Sequence, residues 1–119
     1  MIPFNLRFHG HSSLRYVYKN GQAVRNRLLT IKYISNPYRK ESRLAVVVSK
    51  KVVKSAVRRN RIRRRLYEYI RQQLPLMKPN YDIAVIVSSS EIINMPYEEL
   101  VECLHLSLVQ AELYKTPKS

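Results

Sequence analysis

The residues with the clearest chemistry are six arginines within eight positions, Arg58, Arg59, Arg61, Arg63, Arg64 and Arg65, in a stretch with no acidic residue from Ser42 to Tyr67. A guanidinium is a planar, permanently charged fork that takes a phosphate by two parallel hydrogen bonds. Lysine cannot do this, and the run from Arg58 to Arg65 contains no lysine. An ordinary solvated helix face intersperses acids, so that opposite charges meet three and four residues apart. Here those spacings hold Arg59/Arg63, Arg61/Arg65, Arg58/Arg61 and Arg61/Arg64, like-charge neighbours that each cost a helix roughly 0.2–0.5 kcal/mol. A polyanion relieves that cost. The expected chemistry is phosphate binding to a structured RNA, with Asn60, the neutral amide in the run, either touching RNA or fixing its neighbours.

Unpaired bases need flat surfaces. The chain has nine tyrosines and no tryptophan, and a tyrosine stacks a base while keeping its hydroxyl wet. Tyr18, at the i+4 position from Leu14, reads from its spacing as a core contact of a short helix. Tyr67 either stacks or covers the surface, and Lys32, alternating to the face opposite Leu29 and Ile31, is placed to meet a backbone phosphate. Hydrolytic chemistry is not visible. A metal-dependent nuclease needs several carboxylates converging on two ions, whereas Glu98, Glu99 and Glu102 share one helix start, where the helix dipole accounts for them. Cys103 and His105 are two apart on a helix and point in different directions, and His9 and His11 have no further ligands nearby. With Gly10 and Gly21 the only glycines, glycine-rich nucleotide loops are excluded. The protein is expected to hold no catalytic residue and no metal of its own.

The arginines must be carried by a helix. At about 100° per residue, Ile62, Leu66, Tyr69, Ile70 and Gln73 form one apolar side, while Asn60, Arg64, Tyr67 and Arg71 run along the opposite side with Arg61 and Glu68 beside them. Arg59 and Arg63 fall at the stripe's edge, where an arginine lays its stem on the core. Ser55 is placed to cap this helix, and Pro75 ends it. Before it, Leu44 to Val48 reads as a strand, and Arg27 to Ser35 as another, alternating Leu29, Ile31 and Tyr33 against Thr30 and Lys32. A polar turn from Asn36 to Ser42 sends the chain back antiparallel between them. Tyr81 to Val87 reads as a central strand. A short helix from a Ser12 or Ser13 cap to Lys19, with Leu14, Val17 and Tyr18 along one side, stops at a left-handed Asn20-Gly21. A last helix starts at Pro96 with Tyr97, Leu100, Val101, Leu104 and Leu108 as its core stripe.

These elements predict a single α+β domain over residues 1–119, with residues 1–11 an extended arm and 115–119 a flexible tail. An approximately four-stranded, mostly antiparallel sheet has helices packed on it in the order α-β-β-β-α-β-α. The formal charge is +14, from 22 Lys and Arg against 8 Asp and Glu, which points to nucleic acid or an anionic membrane. Six of the eight acids lie from Asp82 onward, so one face is basic and another nearly neutral. The helix's apolar side is more simply buried on strands than laid on lipid, and no membrane partner is expected. A lone Cys103 and the lack of a signal-like apolar segment fit a cytoplasmic protein.

Ser49 to Ile70, SKKVVKSAVRRNRIRRRLYEYI, resembles the signature of the bacterial ribonuclease P protein subunit. In that signature a Ser-Lys-Lys strand end is followed by Ala, Arg-Asn-Arg, a hydrophobe and two basic residues. Lys50, Lys51, Ala56, Arg59, Asn60, Arg61, Ile62, Arg63 and Arg64 occupy those positions. The early helix, the Asn26-Arg27 pair, the Asp82 strand and the last helix follow in the family's order. Leu14, Ala45 and Tyr67 depart from it, standing where the family commonly has Phe, often Gly, and an Arg.

The resemblance implies a protein cofactor of a ribozyme that removes the 5′ leader of precursor tRNA, with magnesium (Mg2+) held mainly by the catalytic RNA subunit. It implies a left-handed β-α-β crossover, like that in the second domain of a small-subunit ribosomal protein. It implies RNA contacts at Lys50, Lys51, Arg58, Arg59, Asn60, Arg61, Arg63, Arg64 and Arg71, and a leader cleft with Tyr18, Lys32, Leu14 and Tyr67 as candidates. The expected partners are ribonuclease P RNA and the precursor tRNA leader, with one monomeric protein per RNA. A ribosomal or chaperone-like RNA-binding protein shares the charge and fold class. An autonomous ribonuclease is disfavoured by the scattered carboxylates.

Overall fold

The computed structural model describes residues 11–37 and 42–115, with the side chains of residues 11–14 excepted. The elements are α1 (His11–Asn20), β1 (Gln22–Arg25), β2 (Leu29–Ser35), β3 (Arg43–Val47), α2 (Ala56–Gln73), β4 (Tyr81–Val87) and α3 (Tyr97–Gln110), with short 3-10 turns at Leu74–Leu76 and Ser90–Asn94. This is the expected element order. The sheet runs β1-β2-β4-β3, with β1/β2 and β2/β4 antiparallel and β3/β4 parallel.

The turn after β2 does reverse the chain, but β4 lies between β2 and β3, which never pair. Parallel neighbours need a long crossover, and α2 is that crossover. It therefore packs beside β3 and reaches the 3-10 turns and α3.

Alternation gives the sheet two different faces. Leu29, Ile31, Leu44, Val46, Ile83, Val85 and Val87 join Ile62, Leu66, Tyr69 and Ile70 of α2 and Leu100, Leu104 and Leu108 of α3 in one core. Burying each such side chain contributes about 1.5–3 kcal/mol, and this layer holds the fold. On the other face the register aligns Ala23, Lys32, Ala84 and Ala45 across all four strands. Helix α1 lies on that side: the Lys32 ammonium donates to the Tyr18 carbonyl at 2.7 Å, and the fully buried Val17 stands outside the main core. On the same face Arg43 forks onto Asp82, Nε to Oδ1 at 2.9 Å and Nη2 to Oδ2 at 2.8 Å. The fork pins β3 to β4, and Asn36, just after β2, adds a third bond to that carboxylate at 2.9 Å.

Several local expectations change. Helix α1 begins at His11, upstream of Ser12 and Ser13, so neither serine caps it, and the last residue of the expected arm is helical. The rest of the arm and residues 116–119 lie outside the described residues. Gly21 does not end α1 through a left-handed turn: its φ lies outside the left-handed region, and that of Asn20 is not positive. Glycine is required there because a Cβ would meet the Val17 carbonyl oxygen at 2.5 Å and that of Tyr33 at 2.9 Å. Strand β2 starts two residues late, because the Asn26 carboxamide oxygen accepts from the Leu28 and Leu29 amides at 2.8 and 3.0 Å and makes a turn there. Tyr97 is 41% exposed and lies outside the core stripe. It is the first helical residue, and its ring meets Arg65 instead.

Candidate RNA interface

Helix α2 starts as its sequence requires and ends where expected. Ser55 Oγ accepts from the Arg58 amide at 3.3 Å, and the helix stops at Gln73 before a turn containing Pro75. Its first turn carries no acid. The positive end of the helix dipole therefore adds to the charges of Arg58 and Arg59, an arrangement that opposes folding and favours a bound phosphate.

The side chains of α2 divide into three sets around the buried stripe. On the flank toward β3, Arg59 is half-buried and donates Nη1 to the carbonyls of Val53 at 3.0 Å and Lys54 at 2.9 Å. This ties the loop carrying the exposed Lys50 and Lys51 to the helix start. Along the outer side, Asn60 Oδ1 accepts from the Arg63 guanidinium, so the amide does fix a neighbour. Arg71 is ion-paired with Glu68; that hydrogen bond holds the Glu68 carboxyl below the usual carboxylate range and raises Arg71. Arg64 is exposed and has no ion pair among the described residues.

Tyr67 is not on the outer side. It is half-buried, and its hydroxyl accepts from the Val46 amide at 3.1 Å. β3 is an edge strand whose outward N–H groups lack a strand partner, and the phenol reaches across to satisfy one of them.

The third flank, away from β3, was the least legible. Arg58, Arg61 and Arg65 stack there at i, i+3 and i+7. With Ile62, Ile93 and Asn94 they line a pocket of about 120 Å³. Arg65, absent from the expected contacts, donates Nη2 to the Met95 carbonyl at 3.2 Å. Its guanidinium carbon lies 5.6 Å from the centre of the Tyr97 ring, a cation–π distance. The arginine spacing alone hinted at this set; its facing wall arrives from thirty residues downstream, which periodicity cannot place.

The second candidate surface is the α1 side of the sheet. Tyr18 is 36% exposed, and the Lys32 ammonium sits 5.7 Å from its ring centre. Burial on one side pushes its phenol upward. The core position of α1 belongs to Val17, so Tyr18 is a partly open ring beside a cation. Of the alanines aligned with Lys32 on this face, Ala84 and Ala45 are buried. The side chain of Leu14 lies outside the described residues.

Among the described residues, no three His, Cys, Asp or Glu side chains come together to hold a metal ion. Nor is any helix among the described residues long and apolar enough to cross a membrane. Cys103 faces Asn26 and is raised by burial. His105 points elsewhere, with Nδ1 at 3.1 Å from both the Tyr69 and Tyr114 hydroxyls.

The family model for ribonuclease P matches residues 2–112. The chain belongs to the ribonuclease P protein family. A ribonuclease P protein component from a Synechococcus species is 32% identical over 116 residues, 95% of this chain and 86% of that one. One from a Pseudanabaena species is 33% identical over 114 residues, 95% and 97% of the two chains. Among solved structures, the Staphylococcus aureus RNase P protein superposes with a TM-score of 0.84 at 26% identity, covering 92% of this chain and 98% of that one. The Thermotoga maritima RNase P protein gives 0.73 at 26% identity, covering 84% and 93%. The function is accordingly that of the protein cofactor of ribonuclease P, the ribonucleoprotein endoribonuclease of tRNA 5′ processing, with its RNA subunit and precursor tRNA as partners.

Proposed function

We propose that the protein serves its ribozyme through two separate surfaces. The α2 surface grips the catalytic RNA with Arg58, Arg61 and Arg64, supported by Lys50 and Lys51 on the loop that Arg59 secures. Asn60 and Arg63 contribute as a bonded pair, and Arg71 contributes while sharing Glu68. The α1 side of the sheet holds the single-stranded 5′ leader, with Tyr18 as a stacking platform, Lys32 as a phosphate contact and Leu14 at the same helix. Tyr67 supports β3 and is not a leader contact in this reading. One monomeric protein acts per RNA, in the cytoplasm.

The observation that carries the reading is the state of the arginines. Arg58, Arg61 and Arg64 have no side-chain hydrogen bond or ion pair among the described residues, although a fold tuned for stability alone would have paired them. The Mg2+ ions of the reaction are assigned to the RNA. The carboxylates here are dispersed: Asp82 is engaged by Arg43 and Glu91 by Arg27, so the donor set does not fit a two-ion centre.

The test is cleavage of a precursor tRNA at low magnesium by a bacterial ribonuclease P RNA, with and without the protein, beside a reaction with protein alone. Stimulation in the combined reaction only is expected. Cleavage by protein alone would overturn the division of labour between RNA and protein. Tyr18→Ala should then weaken precursors with long leaders more than mature tRNA, and equal losses would remove Tyr18 from the leader surface.

A further inference from the structure

The pocket on the far flank of α2 has a composition that phosphate binding does not require. Its floor is apolar, made by the buried Ile62 and the half-buried Ile93. Arg58, Arg61 and Arg65 provide guanidinium planes, Asn94 brings an exposed amide to the rim, and no acid is among the lining residues. Arg65 is held in advance by the Met95 carbonyl and the Tyr97 ring, so that side chain has little freedom left to lose on binding.

We propose that this pocket takes one unpaired nucleotide of the partner RNA, its base lodged on Ile62 and Ile93 against the guanidinium planes and its phosphate bound by Arg58 and Arg61. Unpaired bases splayed from RNA are recognised by this combination: stacking on arginine planes and apolar surface, with a hydrogen bond to a base edge. The Asn94 amide offers both a donor and an acceptor to that edge. About 120 Å³ is room for a single ring system and not for a helix. The site faces away from β3, and its ligand is therefore distinct from the leader assigned to the α1 side of the sheet. The inference rests on the reading of α2 as the RNA-binding helix and adds a base-specific contact to it.

The experiment uses the full chain, isotopically labelled for NMR, titrated in parallel with adenosine, cytidine, guanosine and uridine 5′-monophosphates, ribose 5-phosphate and inorganic phosphate. At least one nucleotide is expected to shift the Ile93 methyl and Asn94 side-chain amide signals, and to bind about tenfold more tightly than ribose 5-phosphate. Asn94→Ala, at an exposed position, should remove most of that advantage. Ile93→Asp should abolish it, and Arg58→Ala should weaken all the phosphate-bearing probes together.

Equal binding of nucleotides, ribose 5-phosphate and inorganic phosphate would overturn the proposal in favour of a plain phosphate contact. Nucleotide shifts confined to Tyr18 and Lys32 would overturn it as well. The same preparations, assayed for stimulation of precursor tRNA cleavage, separate the two failures: normal stimulation without a pocket response sinks the nucleotide site and leaves the cofactor role standing. With a heptanucleotide single strand in place of the monophosphates, removing one base at a time should locate the position at which Asn94→Ala no longer matters. No such position would also overturn the assignment to RNA.

Discussion

Helices α2 and α3 lie in the same layer and are built alike on their buried sides, yet they treat charge in opposite ways. α2 buries Ile62, Leu66, Tyr69 and Ile70, and α3 buries Leu100, Leu104, Ser107 and Leu108. α3 places Glu98 and Glu99 in its first turn, where they complement the helix dipole. α2 places Arg58 and Arg59 there, with no acid. The outer side of α3 shows Leu106 at 60% and Val109 at 50% exposure, whereas that of α2 is crowded with like charges. The apolar stripes are sufficient to make both helices. Arg59, Arg65 and Arg71 of α2 do make bonds within the fold, but Arg58, Arg61 and Arg64 have no ion pair among the described residues and give folding no evident return.

The comparison can be tested first where the helices are alike. Leu66→Ala and Leu104→Ala, both at fully buried positions, should each cost about 2–5 kcal/mol in urea unfolding. A much smaller loss at Leu66 would mean that α2 is not held by its stripe. The next test is where they differ. Converting Arg58, Arg61 and Arg64 together to Ala should leave thermal stability unchanged or slightly raised, since like-charge pairs are removed. The dependence of RNA affinity on salt should become shallower by about two to three units of log–log slope. A fall of more than about 1 kcal/mol in stability would show that these arginines serve the fold.

The same contrast explains what could be read from the chain. Both stripes were legible because 3.6-residue periodicity survives any surface chemistry, and the Ser55 cap and the stop before Pro75 are local signals. The arginine run was legible because it breaks the rule of alternating charge. What failed depended on neighbours distant in sequence. Tyr67 falls on the polar side of a helical wheel, yet finds the free edge of β3. Gly21 does follow the last turn of α1, but the need for glycine comes from close approach to two carbonyls, the local one of Val17 and the distant one of Tyr33 on β2. The position of β4 between β2 and β3 follows from the α2 crossover and not from the turn at residues 36–42. The pocket at Arg65 was invisible for the same reason.

A smaller effect is expected from the charge that suits α3. Glu98→Gln and Glu99→Gln should each cost about 0.3–1 kcal/mol at low salt, fading as salt is added. RNA affinity should not fall, because removing an acid from a basic protein does not weaken its attraction to phosphate. A fall in affinity, measured by filter binding, would give α3 a share of the interface and end the contrast.

An effect of similar size concerns the join between the two helices. Tyr114 donates to Gln73 Oε1 of α2 at 2.8 Å and lies 3.1 Å from His105 Nδ1 of α3, which in turn meets the Tyr69 hydroxyl. Burial, then the bond to Tyr69, raises the Tyr114 phenol well above its ordinary value of 10.0. A raised folded value means that the unfolded chain loses this proton first. The stabilisation is therefore complete below about pH 10 and declines as pH rises through the folded value. Tyr114→Phe should cost about 1 kcal/mol at pH 7 through the lost hydrogen bonds. It should also make the fall of Tm between about pH 10 and pH 11 less steep. Tyr18 and Tyr33, which are also raised by burial, keep the remainder of the decline. An unaltered alkaline slope in the variant would show that Tyr114 titrates freely and that the two helices are joined by their apolar stripes alone.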